Sequence, residues 1–167
     1  MDLTPDRIRQ LLGLEPHPTC GFVAQTYRSR LSIPSSALPA PYEGSRPQAT
    51  ALYFLVMPET PVRLHRIRAD QLYHHYLGGP LEVLMLHTDG TGEVAMVGGG
   101  LKEGMRPQLL IPGGTFHAAR VKDGTPWALL GSTEWPGVEP ADVEAGDADA
   151  LARSHPVFAA QIRSFAA

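Results

Sequence analysis

Two histidines could do acid/base or metal chemistry if the fold brings them together. His65 lies in the stretch "VRLHRI", and His117 follows the turn "IPGG". An imidazole titrates near neutral pH and is a common ligand for transition metals. His65 is therefore our candidate for a catalytic general base, with the phenol of Tyr53 or Tyr73 as the proton donor.

Strand alternation predicts which other side chains share a cavity with these histidines. Alternate residues of a strand face the same side, which groups Gln71, Tyr73 and His75. A small barrel directs such faces from several strands toward one interior, where a ligand can bind. We expect the ligand-binding residues to be His65, Gln71, Tyr73, His75, Gln108, Phe116 and His117.

The chain that must position these side chains is predicted to be all-β. Short stretches rich in β-branched, aromatic and other apolar residues are separated by glycine- and proline-rich turns, which favours a sandwich or barrel over a parallel sheet with crossover helices. The predicted strands are "GFVAQTYRS", "TALYFLVM", "VRLHRI", "LYHHYL", "LEVLMLH", "EVAMV", "QLLI", "FHAARV" and "WALLGST".

A short helix is predicted at each end of the chain. Thr4 can cap the first helix and Gly13 can end it, while a second helix is expected to open at Ser154 and Pro156. The proline-rich stretch "SIPSSALPAPYEGSRP" is predicted to be a long surface loop or an arm. The acidic run "EPADVEAGDADA" is predicted to be a solvated face or a connector.

Length and composition restrict the kinds of protein this can be. The 167 residues fit a single domain over residues 1–167. The net charge of -3, from 14 basic and 17 acidic residues, provides no basic face for nucleic acid. The sequence contains neither an apolar run long enough to span a membrane nor a signal peptide, and Cys20 has no partner for a disulfide. We therefore expect a cytoplasmic protein without nucleic-acid or membrane partners.

Several segments resemble a known family. His65, Gln71 and Gly78 fall on a worn form of the first cupin motif, and Pro112, Gly114 and His117 resemble the second motif. More narrowly, the segments "LLGLEPHP", "LHRIRADQLYHHYLGGPL" and "RPQLLIPGGTFHAAR" resemble the cupin family DUF985. The resemblance implies a double-stranded β-helix jelly-roll barrel, of the RmlC-like cupin type, with short N- and C-terminal helices. It also implies a homodimer.

The departures from the motif weaken a metal site. Metal-binding cupins use three histidines and a glutamate, whereas this chain has Ile67 in place of the middle histidine and Gln71 in place of the glutamate. His65, Gln71 and His117 remain as candidate metal ligands, but they supply no negative charge for a divalent ion. We expect no cofactor, and the alternative is a divalent transition metal bound at this incomplete set.

The residues and the resemblance together predict a protein that binds a small molecule in its barrel. If it is an enzyme, the histidine and tyrosine pattern favours an acid/base isomerase or epimerase of a sugar-like or keto-acid substrate. Two alternatives stay open from the sequence: a metal-dependent cupin oxygenase or lyase, and a non-catalytic ligand-binding or sensor module.

Overall fold

The computed structural model describes residues 3–166, which form antiparallel strands with short helices near both ends. The helices are α1 (Pro5–Leu12), α2 (Ala148–Ser154) and α3 (Ala159–Ala166). The strands are β1 (Glu15–Pro16), β2 (Phe22–Arg28), β3 (Ser32–Ile33), β4 (Arg46–Pro47), β5 (Thr50–Val56), β6 (Val62–Ile67), β7 (Asp70–Gly78), β8 (Leu81–Leu86), β9 (Gly92–Val97), β10 (Gln108–Ile111), β11 (Phe116–Val121), β12 (Ala128–Trp135) and β13 (Val143–Ala145).

Most of the strands form two sheets with a shared core. One sheet has the order β1-β2-β5-β12-β7-β10 and the other the order β13-β6-β11-β8-β9, while β3 and β4 pair separately. The named strands pair antiparallel throughout the described residues. The all-β jelly roll predicted from the sequence is confirmed. Its two sheets form a sandwich and do not close into a continuous cylinder.

The main hydrophobic core fills the space between the sheets. Phe54, Tyr73, Leu81, Ile111 and Leu130 are among its members, and each is almost fully buried. Burial of this kind contributes roughly 25 cal/mol per Å² of apolar surface removed from water. The core therefore holds the two sheets together.

The helices cover the outer faces of the sandwich. Helix α1 places Ile8 against Leu55 and Leu129 of the six-stranded sheet. Helices α2 and α3 place Leu151 and Ile162 in a separate cluster on the five-stranded sheet. Each helix thus buries one apolar side, as an amphipathic helix on a sheet must.

Both predicted helices form, but the acidic run differs from its prediction. The Thr4 hydroxyl accepts a hydrogen bond from the Arg7 amide at the start of α1, and Gly13 ends that helix with φ +62°. At the other end, a 3₁₀ turn at Pro156–Phe158 leads into α3. The run at 139–150, predicted as a solvated face or connector, contains strand β13 and the start of α2, because β13 pairs with the edge of β6.

The turn "IPGG" places strand β11 against strand β6. The Gly113 amide donates to the Asp70 carboxylate (2.7 Å), and the Gly114 amide donates to the Ile67 carbonyl (2.8 Å). Gly114 has φ +81°, which a side chain would strain. These bonds hold the turn on the connection between β6 and β7, and His117 consequently pairs with His65 across the two strands.

Among residues 3–166, no helix has the length and apolar character required to cross a bilayer.

Candidate ligand-binding cavity

A cavity of about 570 Å³ lies between the two sheets, next to the main core. This volume is within the usual range for small-molecule sites, roughly 300–1,000 Å³. The cavity is bounded by strands of both sheets and by the segments 17–20 and 138–140. Its lining residues are His17, Pro18, Thr19, Cys20, Val23, Gln25, Thr50, Leu52, Phe54, His65, Ile67, Gln71, Tyr73, Ser132, Glu134, Val138, Glu139, Pro140 and Val143.

His65 faces this cavity with its ring oriented by the backbone. Its Nδ1–H donates to the carbonyl oxygen of Arg63 at 2.7 Å, which leaves the lone pair on Nε2. The ring is 3% exposed, and burial lowers its pKa below the ordinary value, although the bond to Arg63 opposes the shift. His65 is therefore a neutral imidazole whose Nε2 can accept a proton.

His117 lies directly behind His65 and is fully buried. The two ring centroids are 4.3 Å apart, but His117 does not line the cavity. With its hydrogen on Nδ1, directed at the Thr115 carbonyl (3.4 Å), Nε2 accepts from the Tyr73 hydroxyl (3.2 Å) and the Gln71 amide (3.3 Å). Burial and the neighbouring His65 hold the pKa of His117 well below its ordinary value. His117 thus positions Tyr73 and Gln71 from behind.

The structure brings four of the predicted site residues together. His65, Gln71 and Tyr73 line the cavity, and His117 touches all three. Burial holds the pKa of Tyr73 well above its ordinary value, so its hydroxyl keeps its proton. Because the Gln71 amide carries two hydrogens and His117 accepts one of them, the second can be donated to a ligand.

The other four predicted site residues lie outside the cavity. Tyr53 packs edge-on against Tyr76 in the cluster around α1, at 5.9 Å between ring centroids. His75 bonds the Gly79 carbonyl through Nε2 (3.0 Å), further along β7 than Tyr73. Neither residue lines the cavity: Tyr53 packs in the cluster around α1, and His75 is bonded to the turn that follows β7. Their roles in catalysis and binding stay predictions.

Gln108 and Phe116 are also directed elsewhere. Gln108 is exposed and its amide contacts His74 Nδ1 at 3.0 Å, because β10 pairs with β7 in a register that places Gln108 opposite His74. Phe116 packs with the cluster under α2 and α3, and the Arg66 guanidinium lies over its ring. Neither residue lines the cavity. Their positions depend on strand register, which the sequence pattern of a single strand does not show.

Glu134 is a buried acid of the cavity wall that the sequence analysis missed. It is 4% exposed, lines the cavity, and accepts a hydrogen bond from the Thr50 hydroxyl at 2.7 Å. Burial raises its pKa above the ordinary value in spite of this bond. The alternation of Ser132 and Glu134 in "LLGSTEW", in register with Tyr73 and Gln71, was the signal that could have found it.

Further polar groups surround Glu134. Ser132 is 4% exposed, and its hydroxyl lies beside the Glu134 carboxyl, where it opposes the rise in the Glu134 pKa. Cys20 also lines the cavity, and burial raises the pKa of its thiol to about 11, so the thiol stays protonated. His17 occupies the same lining and its Nδ1 accepts from the Thr19 amide at 3.3 Å. The cavity is thus richer in acceptors and neutral donors than the sequence indicated.

The side chains present do not fit a bound metal ion. His117 Nε2, which would have to turn toward an ion shared with His65, is already bonded to Tyr73 and Gln71. Among residues 3–166, no three His, Cys, Asp or Glu side chains are grouped so that they could hold a metal. The divalent metal considered at His65, Gln71 and His117 stays a prediction, and no chemical step below depends on it.

A jelly-roll sandwich with a lined cavity between its sheets defines a protein of the cupin fold. The chain belongs to the family described as Cupin superfamily (DUF985), which matches residues 6–146. The oxalate decarboxylase of Bacillus subtilis shares the fold at 11% identity, with a TM-score of 0.51, over 89% of this chain and 36% of that one.

Two relatives are more similar than this enzyme. A hypothetical protein from Leishmania major superposes with a TM-score of 0.87 at 25% identity, over 98% of this chain and 99% of that one. The uncharacterised protein YML079W of Saccharomyces cerevisiae is 25% identical over 126 residues, which is 69% of this chain and 61% of the yeast protein. The match with this chain therefore spans less than two thirds of the yeast protein's length.

Proposed function

We propose that the cavity binds a small carbonyl compound and that His65 takes a proton from the carbon beside the carbonyl. This step underlies isomerases and epimerases of sugar-like or keto-acid substrates. The observation that carries the proposal is a neutral, backbone-oriented His65 in the wall of a cavity of about 570 Å³. A base held in this way is ready to act without first losing a proton.

The proton transfer requires a partner for the carbonyl oxygen. When His65 Nε2 takes the proton, the electron pair of the broken C–H bond forms a C=C bond and the carbonyl oxygen becomes negative. The second amide hydrogen of Gln71 can stabilise that oxygen, because Gln71 lines the cavity and gives only one of its two hydrogens to His117. Return of a proton from solvent to the other face of the C=C bond gives an epimer. Where the carbon that lost its proton carries a hydroxyl, that hydroxyl gives its proton to the former carbonyl oxygen, His65 returns its proton to the former carbonyl carbon, and the product is the isomer with the carbonyl moved by one carbon.

His117 acts in this proposal as a positioning residue. It accepts from Tyr73 and Gln71 at the same nitrogen, which holds the Gln71 amide in place and leaves its second hydrogen for the carbonyl oxygen. A neutral imidazole is required there, because a protonated ring would have no lone pair for either donor. The low pKa of His117 therefore supports the proposal.

Hydrogen exchange from solvent tests the proposal without a known product. We would incubate the protein in D₂O with a panel of pentoses, hexoses, amino sugars and keto acids, and measure deuterium incorporation by mass spectrometry. We expect incorporation at the carbon beside the carbonyl for one class of compound. The rate should fall by about 10²–10⁴-fold in His65→Ala, which is the usual contribution of a general base.

A second histidine gives the matched control. His87→Ala should exchange at the parent rate, because His87 does not line the cavity. Equal rates in the parent and His65→Ala, or no exchange with any compound of the panel, would overturn the catalytic proposal. Saturable binding without exchange would instead indicate a non-catalytic binding module.

A further inference from the structure

We infer that the ligand of this cavity carries a protonated amine, which Glu134 holds as its counter-ion. The inference rests on the proposal that the cavity binds a small molecule, and it narrows the class to amine-bearing compounds with an apolar body. Under this assignment a keto acid is a poor substrate.

Glu134 is a buried acid without a cationic partner. It takes part in none of the ion pairs formed by residues 3–166. Its partners are neutral hydroxyls: Thr50 donates to Oε2 at 2.7 Å, and the Ser132 hydroxyl lies near enough to oppose the rise in its pKa. A buried carboxyl group costs free energy unless it is paired, so a ligand cation would remove an existing penalty.

Other acceptors beside Glu134 match the three N–H groups of an ammonium ion. The buried hydroxyl of Ser132 lies in the same wall, close to the Glu134 carboxyl, and its oxygen receives no hydrogen bond from the described residues. Gln71 uses its amide nitrogen toward His117, which leaves its amide oxygen free to accept. Glu134 Oε1, Ser132 Oγ and Gln71 Oε1 therefore form a set of acceptors along the paired strands β7 and β12.

The cavity lacks the groups that an anionic ligand requires. None of the described residues that line it is lysine or arginine, and His65 is held neutral. Glu139 is the other acidic lining residue, and it already binds Arg28, whose side chain is 47% exposed. A carboxylate or phosphate in this cavity would meet one unpaired acid and no free cation, which opposes binding.

The rest of the wall selects an apolar body. Much of the remaining lining is hydrocarbon, contributed by Val23, Leu52, Phe54, Ile67, Val138 and Val143. Such a wall favours a ligand whose charge is confined to one end, because burial of its remaining surface is favourable. The substrate class is consequently an amine-bearing carbonyl compound, with the amine on Glu134 and the carbonyl near His65.

Three probes of similar shape distinguish the effect of the ligand's charge from the effect of its apolar body. Benzylamine, benzyl alcohol and benzoate would be titrated into the full chain at pH 7 by isothermal calorimetry. We expect benzylamine to bind at least 10-fold more tightly than benzyl alcohol, and benzoate to show no saturable binding. In Glu134→Gln, benzylamine should lose at least 10-fold in affinity while benzyl alcohol binds as in the parent.

The control acid is Glu93, which does not line the cavity. Glu93→Gln should leave the affinity for all three probes unchanged, and the melting temperature of each variant would show that it is folded. Benzoate or benzyl alcohol binding as tightly as benzylamine, or undiminished benzylamine binding in Glu134→Gln, would overturn the inference. The absence of deuterium exchange with intact amine binding would overturn only the catalytic proposal.

Discussion

The two neighbouring histidines have different surroundings and therefore different expected roles. His65 faces the cavity and has its Nδ1 bonded to the backbone, whereas His117 is enclosed behind Tyr73 and Gln71. Both have pKa values below the ordinary one because burial penalises the charged ring. The first can act on a ligand, and the second holds the donors in place.

The buried state of His117 predicts acid sensitivity. Its pKa in the folded protein is depressed, so as pH falls below about 6.5 the unfolded chain binds a proton that the folded chain does not. The free energy of unfolding should therefore fall from pH 7.5 to pH 5, by about 1.4 kcal/mol for each unit of pKa difference traversed. Urea unfolding at the two pH values would measure the loss.

A variant without the His117 imidazole measures how much His117 contributes to this loss of stability. His117→Gln keeps an acceptor for Tyr73 and does not titrate, so its loss of stability between pH 7.5 and pH 5 should be smaller than that of the parent. His87→Gln, at a histidine outside the cavity, should lose as much as the parent. An equal loss in His117→Gln and the parent would show that His117 titrates normally.

Glu134 predicts the opposite dependence on pH. Its pKa in the folded protein is raised, so as pH rises above about 4.5 the unfolded chain releases a proton that the folded chain retains. Glu134→Gln lacks this penalty, and its free energy of unfolding relative to the parent should increase between pH 4 and pH 8. Chemical unfolding curves at several pH values would show the trend. A constant difference across that range would contradict a raised pKa for Glu134.

Some of the site was predictable from the sequence and some was not. Alternation along single strands correctly brought Gln71 and Tyr73 to one face and directed attention to His65. The same argument grouped His75 with them, but His75 bonds the Gly79 carbonyl and does not line the cavity. Gln108 and Phe116 also lie elsewhere, because their orientation depends on strand register and on which outer face the helices cover. Glu134 was not predicted, because its position opposite Gln71 depends on how β12 pairs with β7, and the family motif includes only Gln71.

At the scale of elements, the "IPGG" turn sets the position of the cavity. Gly113 packs so closely on the backbone at Arg68 that a Cβ atom there would collide with the carbonyl oxygen of Arg68. The nine predicted strands all form, since their alternation and turn residues agree with the fold. The short strands β1, β3, β4 and β13 were not predicted, because two or three residues are too few for a periodic pattern.

Substitution of Gly113 should distort the cavity wall. Gly113→Ala forces a side chain against backbone that cannot move independently, at a cost of about 1–3 kcal/mol for an overpacked site. Gly99→Ala is the matched control, because a Cβ atom at Gly99 would contact nothing within 4 Å. Thermal unfolding of both variants would measure the difference. Equal melting temperatures would show that the turn is not tightly docked.

At the scale of the whole molecule, one buried ion pair ties the proline-rich segment to the C-terminal part of the chain. Arg46 donates to both carboxylate oxygens of Asp142, at 2.7 and 2.8 Å, and both side chains are nearly inaccessible. Burial alone would raise the pKa of Asp142, but the bonds from Arg46 and from the Glu139 amide lower it overall. This pair fixes the segment that carries Glu139 and Pro140 into the cavity wall.

Breaking the pair should destabilise the fold more than breaking an exposed one. Asp142→Asn leaves the Arg46 charge buried without compensation and should cost about 3–5 kcal/mol in the free energy of unfolding. Glu144→Gln, which breaks the partly exposed pair with Arg66, should cost roughly 1 kcal/mol or less. Guanidinium chloride unfolding would compare the two variants. A smaller loss in Asp142→Asn than in Glu144→Gln would contradict a structural role for the buried pair.

Some expectations for the whole molecule stay predictions. They are the homodimer, the cytoplasmic location, the lack of nucleic-acid partners and the extent of a single domain over residues 1–167.

A methyl NMR titration tests most directly whether the cavity between the sheets is a ligand site. With labelled Val, Leu and Ile methyl groups, benzylamine should shift Val23, Leu52, Ile67, Val138 and Val143 in a saturable way, because all five line the cavity. Leu84, Leu151 and Ile162, in the cluster under α2 and α3, should stay unchanged. Shifts scattered over both groups, or no saturable shift in the cavity group, would contradict the account.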